Sequence, residues 1–179
     1  TFLIFISTPV YALVTNTSYN DDVRTAIDNQ IEQINLKAYL SLKMDDENLI
    51  LISDGIVYQT KDLKTFENIG IFPIELKPMD ILKSRDGSLY LTTWNKTGPF
   101  GWLLVSKNNG KTWERILQSS GRAFWKIAED RQGNIYVGEY QTEPYNVTKN
   151  IWKSIDKGRT WSKIFTAPDG TRHIHMLFV

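Results

Sequence analysis

The sequence predicts an all-β fold built from repeated four-stranded antiparallel sheets. An octapeptide that begins with Ser and ends with Thr-Trp occurs twice, at residues 106–113 and 154–161. Its fifth residue is Gly in both copies, and these glycines lie 48 residues apart, which is long enough for one four-stranded unit. Two turn glycines, Gly87 and Gly133, keep nearly the same period with a spacing of 46 residues. The chain is 12% aromatic, which suits sheet packing.

Each octapeptide is predicted to close a β-hairpin. The short acceptor side chain at the third position bonds nearby backbone N–H groups, the Gly admits a positive φ, and the Trp leaves the turn to be buried. These residues are therefore interpreted as structural: Ser106, Asn108, Gly110, Thr112, Trp113, Ser154, Asp156, Gly158, Thr160 and Trp161.

From residue 38 onward the chain divides into similar units. Short apolar runs alternate with turns rich in Asp and Gly, and each full unit contains four predicted strands. The first strands of the second and third units are predicted at Asp80–Ser84 and Ala123–Glu129. The units span residues 38–72, 78–119 and 122–168, and a fourth begins at 172–179.

The octapeptides resemble the Asp-box, or BNR repeat, of sialidase-like β-propellers. Residues 60–66 form a degenerate copy that lacks the Gly and ends in Phe66. The resemblance covers residues 38–179 and implies a β-propeller of four-stranded antiparallel blades, of which about three, with the first strand of a fourth, are present. Six or seven blades are expected in the intact protein, so we expect this chain to be an incomplete propeller and part of a longer one.

The N-terminal residues read differently. Residues 2–12 resemble the apolar part of a secretory signal peptide, with Val10 and Ala12 placed for cleavage after Ala12, so residues 1–12 are predicted to be its remnant; a buried first strand is the alternative. Residues 13–37 predict either a short helix or an edge strand that closes the ring. We therefore expect a secreted protein with no membrane span in the mature chain.

Composition excludes several functions. The formal net charge of +1 offers no electrostatic case for nucleic acid binding, and the absence of Cys excludes disulfides and thiolate metal sites within this chain. No cofactor is predicted.

Candidate ligand-binding residues enter first strands or leave second strands, because these positions gather around the channel mouth of a propeller, on the face opposite the octapeptides. Arg recognises carboxylates, Trp and Tyr offer flat faces to sugar rings, and Glu can serve as acid or base. The candidates are Trp94, Arg122, Trp125, Glu139, Tyr140, Arg172, His173 and His175. Glu139 and Tyr140 are adjacent on a strand and should point to opposite faces.

His173 and His175 are the two histidines of the chain and share one face if the segment is a strand. They suggest a metal pair or an acid/base site, or else rings that hydrogen-bond loop backbone. No third ligand is identifiable, so no metal site is predicted.

Two classes of function remain open from the sequence. One is a non-catalytic propeller that binds a glycan or an extracellular polypeptide. The other is a glycoside hydrolase resembling an exo-sialidase, with part of its active site in further blades. The arginine triad and catalytic residues of sialidases have no identifiable equivalents here, so no catalytic residue is assigned.

Overall fold

The computed structural model describes residues 40–43, 48–53, 55–62, 64–140, 149–168 and 174. All regular structure in this part of the chain is β, in twelve strands. The strands are β1 Leu40–Lys43, β2 Leu49–Ser53, β3 Ile56–Thr60, β4 Glu67–Ile71, β5 Leu76–Lys83, β6 Leu89–Asn95, β7 Trp102–Ser106, β8 Glu114–Gln118, β9 Ala123–Glu129, β10 Ile135–Tyr140, β11 Asn150–Ser154 and β12 Ser162–Thr166.

Consecutive strands pair antiparallel in three groups of four, which we call the first blade (β1–β4), the second blade (β5–β8) and the third blade (β9–β12). The inner strands of successive blades, β1, β5 and β9, contact one another in that order. The second and third blades are also joined by one backbone pairing, Trp94 with Ala123. Each blade therefore meets the next along its inner strand.

Strand alternation explains how the blades stack. In β6, Leu89 and Leu91 belong to the apolar core shared with the first blade, whereas Tyr90 between them belongs to the core shared with the third blade. Because successive side chains of a strand point to opposite faces, β6 supplies both cores at once. In β7, Leu104 joins the first core and Leu103 the second. The middle blade is thus apolar on both faces.

The outermost strand of every blade has the same irregularity. The pairing register shifts around Ile69 in β4, Ile116 in β8 and Ile164 in β12. A β-bulge of this kind leaves one extra residue and re-aims its side chain. Ile69 and Ile116 pack against the cores, whereas Ile164 is 50% exposed. The three blades therefore share the same bulge in their outermost strand.

The first strand of the second blade begins earlier than Asp80, at Leu76. A proline such as Pro78 is normally evidence against the interior of a strand, because it has no N–H to donate to the neighbouring strand. In the structure it lies beside a register shift between Pro78 and Asp80, where ladder hydrogen bonding is already interrupted. The bulge explains how the strand tolerates this proline.

Several expectations fall outside the described residues. These are the signal peptide at 1–12, the helix or closing strand at 13–37, and the site candidates Arg172, His173 and His175.

Candidate functional site

The two octapeptides form the same hydrogen-bonded turn. In the second, Ser154 Oγ accepts a hydrogen bond from Gly158 N at 2.8 Å and donates one to Asp156 Oδ1 at 2.8 Å. Asp156 also accepts bonds from Thr160 N at 2.9 Å and from Thr160 Oγ1 at 2.6 Å. The first octapeptide makes the equivalent backbone bonds, with Asn108 in place of the aspartate. The polar residues of each turn therefore bond to the turn itself.

The degenerate segment at 60–66 retains part of this arrangement. Asp62 Oδ1 accepts hydrogen bonds from Lys64 N and Thr65 N, both at 2.8 Å. The bonds from Thr160 lower the pKa of Asp156 from 3.8 to about 2, and the backbone bonds from Thr65 and Lys64 lower that of Asp62 to about 2. Both carboxylates are ionised parts of a turn.

The second octapeptide also joins two blades. A Cβ on Gly158 would lie 3.0 Å from Ile116 Cδ1 and 3.2 Å from Tyr90 Cε1, so the turn rests directly on the second blade. Tyr90 Oη donates a hydrogen bond to Lys157 O at 2.9 Å. The indole of Trp161 packs against the core between these blades and donates to Gly158 O at 3.1 Å. These contacts support the structural interpretation of the octapeptides.

At the opposite end of the strands, the pairing register brings two candidate residues, Trp94 and Tyr140, close together. Trp94 at the end of β6 and Tyr140 at the end of β10 both pair with Ala123 at the start of β9. Directly opposed residues on neighbouring strands face the same side, so two aromatic side chains flank a small one, with Cα atoms roughly 10 Å apart. We call Trp94, Arg122, Trp125 and Tyr140 the aromatic site.

Trp125 completes the aromatic site through a bulge. The register of β9 with β10 shifts so that Lys126 pairs with Gly138 and Phe124 with Glu139, which leaves Trp125 as the extra residue. Its ring stacks on that of Tyr140 with centroids 4.3 Å apart and planes 20° from parallel. Both rings are half-buried. A bulge next to a binding surface is a common way to re-aim a side chain.

The loop before β9 carries Arg122, which directly precedes Ala123 in the chain. The backbone carbonyl of Arg122 accepts a hydrogen bond from Asn95 N at 2.9 Å, which ties the loop to the end of β6, and its side chain is exposed. Gly101 lies against this junction: a Cβ there would come within 2.6 Å of Ala123 Cα and 2.7 Å of Arg122 O. A larger residue at position 101 would displace the strand ends that carry the site.

Glu139 lies behind the aromatic site and is 2% exposed. One carboxylate oxygen accepts bonds from Ser120 N at 2.9 Å and Trp152 Nε1 at 3.0 Å. The other accepts bonds from Ser120 Oγ at 2.7 Å, Asn150 N at 2.9 Å and Asn150 Nδ2 at 2.8 Å. The carboxylate therefore fastens the loop that carries Arg122 to β11. The side chain of the adjacent Tyr140 stacks on Trp125, so Glu139 and Tyr140 point to opposite faces of the strand, as predicted.

Sequence reasoning did not single out Asp80, which is buried on the inner strand β5. Its Oδ2 lies 3.4 Å from Lys126 Nζ on β9 and accepts a bond from Ile127 N at 3.2 Å. Burial raises the pKa of Asp80, and the Lys126 ammonium opposes that shift. The available signal in the sequence was an Asp that lies two residues after Pro78 in a largely apolar stretch. The pair links the inner strands of two blades.

The described residues contain no cluster of three or more potential metal ligands, and no helix among them is long and apolar enough to cross a membrane.

Three four-stranded blades, joined along their inner strands and covered at one end by hairpin turns, define an incomplete β-propeller. The xyloglucanase of glycoside hydrolase family 74 from Xanthomonas campestris has a similar fold, with a TM-score of 0.55 and 17% identity over 66% of this chain. The chain covers 19% of that enzyme's length. YCF48 bound to D1 peptide has a TM-score of 0.48 and 15% identity, with 70% of this chain and 38% of that one covered. A family 25 ulvan lyase has a TM-score of 0.43 and 15% identity, with coverage of 74% and 36%. The sequence matches no family model and no curated protein.

Proposed function

We propose that this propeller binds a carbohydrate at the aromatic site. The observation that carries the proposal is the juxtaposition of three aromatic residues from three strands: Trp94 and Tyr140 flank Ala123, and Trp125 stacks on Tyr140 at 4.3 Å. Half-buried aromatic rings present apolar surface that suits the C–H faces of sugar rings.

The neighbouring polar groups support the same ligand class. Arg122, which directly precedes Ala123, has an exposed side chain, and its guanidinium is of the kind that donates to hydroxyl or carboxylate oxygens. Glu139 supports the site from behind, since its five bonds hold the loop that carries Arg122. The similar fold of a xyloglucanase supports a polysaccharide ligand by analogy of fold.

The proposal includes an extracellular location, which rests on the apolar residues 2–12 and their resemblance to a signal peptide. An extracellular polypeptide is the second ligand class for the same aromatic surface.

Glycoside hydrolysis is the alternative function, and one observation favours it. Asp80 lies on an inner strand, and its burial raises its pKa, as is typical of a general acid. Lys126 Nζ at 3.4 Å and the bond from Ile127 N are the opposing observations, because both stabilise the ionised form.

The experiment measures affinity for a panel of soluble polysaccharides, neutral and acidic, by retardation in native gels and by calorimetry. We expect Trp125→Ala to weaken binding about tenfold or more, since one desolvated aromatic contact contributes on the order of 1–3 kcal/mol. Phe165→Ala, which removes a 48% exposed ring from β12, is the matched control and should leave affinity unchanged. Failure of every polysaccharide to bind, or equal losses in both variants, would overturn the proposal. New reducing ends that disappear in Asp80→Asn would instead establish the alternative.

A further inference from the structure

The end of the propeller that carries the octapeptides contains a groove of about 510 Å³. Three segments line it: the turn between β5 and β6, the first octapeptide and the second octapeptide. The lining residues are Asp86, Gly87, Ser88, Lys107, Asn109, Lys157 and Arg159. This volume is within the range of small-molecule sites in proteins. The aromatic site lies at the other end of the strands, so the groove is a separate feature.

The groove concentrates positive charge. Lys107, Lys157 and Arg159 face one carboxylate, Asp86, which gives the lining a net charge of +2, against +1 for the whole chain. Lys157 Nζ lies 3.5 Å from Asp86 Oδ2. Within the described part of the chain, Lys107 and Arg159 form no ion pair. Two cationic side chains are therefore available to an anion in the groove.

The backbone beneath these cations is held in place. Lys157 has a φ of 61°, and its carbonyl accepts the bond from Tyr90 Oη at 2.9 Å. Lys107 follows Ser106, whose buried hydroxyl accepts the bond from Gly110 N at 2.8 Å. The nearby carboxylate of Asp156 is occupied by bonds within its own turn. A fixed backbone reduces the entropy that ordering the cationic side chains costs on binding.

We propose that this groove is a second binding site, for a small ligand that carries a sulfate, phosphate or carboxylate group. Arg159 supplies the planar donor pair that suits such oxyanions, and Lys107 and Lys157 supply point charges. Ser88 and Asn109 add neutral hydrogen-bonding groups to the same lining. The octapeptides thus have a recognition role in addition to the structural role of their Ser, Asp and Trp residues.

The test is a calorimetric and NMR titration of the chain with inorganic sulfate, inorganic phosphate, a sulfated disaccharide and its unsulfated counterpart. We expect saturable binding of the anionic probes, with NMR shifts at the groove residues, whereas the unsulfated sugar should leave the groove signals unchanged. If only the inorganic anions saturate the groove, the ligand is a free oxyanion. If the sulfated disaccharide binds with much higher affinity than inorganic sulfate, the ligand is an anionic glycan. Absence of saturable binding by every anionic probe overturns the proposal.

The double variant Lys107→Gln with Arg159→Gln should weaken anion binding about tenfold, because it removes two of the three cations that line the groove. Lys111→Gln is the matched control, since Lys111 belongs to the first octapeptide and does not line the groove. Circular dichroism should show all variants folded. Trp125→Ala should leave anion binding intact, which separates this proposal from the carbohydrate site. Equal binding by the double variant and the control would refute the groove as the site.

Discussion

The hydroxyl of Ser154 stabilises the second octapeptide turn through two hydrogen bonds. Its Oγ is buried and satisfies both Gly158 N and Asp156 Oδ1 at 2.8 Å. We expect Ser154→Ala to lower the free energy of unfolding by about 1–3 kcal/mol, because the N–H of Gly158 is left buried without an acceptor. Thermal and urea denaturation measure the change. Ser162→Ala, on the exposed strand β12, is the control and should change stability by less than about 0.5 kcal/mol.

Asp156 makes a second prediction at this scale, concerning pH. Its folded pKa of about 2, lowered by hydrogen bonds from Thr160, is below its ordinary value of 3.8. A lowered carboxyl pKa contributes stability that is present above the unfolded pKa and lost as pH falls through the folded pKa. We expect the stability difference between the wild type and Asp156→Asn to shrink between about pH 4 and pH 2. The variant keeps an acceptor oxygen, as Asn108 does in the first octapeptide. A difference independent of pH would contradict this assignment.

Sequence alone was informative about residues whose role is local. Ser, Asp and Gly at fixed offsets predicted the turns because their bonds are made within eight residues. Trp125 shows the limit: its position at the channel end was predicted, but its stacking on Tyr140 depends on a bulge in β9, which depends on pairing with β10. Asp80 was missed for a similar reason, since its partner Lys126 lies on another blade.

At the scale of elements, contact between a hairpin turn and the neighbouring outer strand joins the blades. Gly70 in β4 is the point of closest approach: a Cβ there would lie 2.5 Å from Lys111 O and 2.7 Å from Gly110 O. Both atoms are backbone, so neither can move without moving the first octapeptide. The same kind of contact recurs between Ile116 in β8 and Gly158 of the second octapeptide, so the outer strands of the first two blades each meet the turn of the next blade.

We expect Gly70→Ala to destabilise the protein by about 1–3 kcal/mol, as overpacking does in a close-packed interface. Ala has a higher strand propensity than Gly, so backbone preference alone predicts that the substitution stabilises the protein. A loss of stability would therefore come from the contact with the first octapeptide. Equilibrium urea denaturation measures it, with Glu67→Ala on the exposed start of β4 as control. A stabilised Gly70→Ala protein would show that the two blades are not in contact at this point.

In the described part of the chain each blade covers the next, and the all-β propeller fold implied by the Asp-box resemblance and the spacing of the octapeptides is confirmed. The spacing of the octapeptides could not show which blade surfaces are covered by a neighbouring blade. Ile116 in β8 lies against Gly158 of the following blade, whereas its equivalent in β12, Ile164, is 50% exposed and Phe165 is 48% exposed. Within the described sheet, β12 is also an edge strand. Exposed apolar residues on an unpaired edge favour association between molecules.

The last prediction follows from that surface. We expect the chain to associate as its concentration rises, and Ile164→Lys with Phe165→Lys to reduce that association while changing the melting temperature little, since both side chains are already half in water. Light scattering across a concentration series measures the first effect and calorimetry the second. Ile116→Lys is the matched comparison at the equivalent covered position: it should lower the melting temperature strongly, because a charge would be buried between two blades. If the β12 variant scattered light as the wild type does, association would have to use another surface.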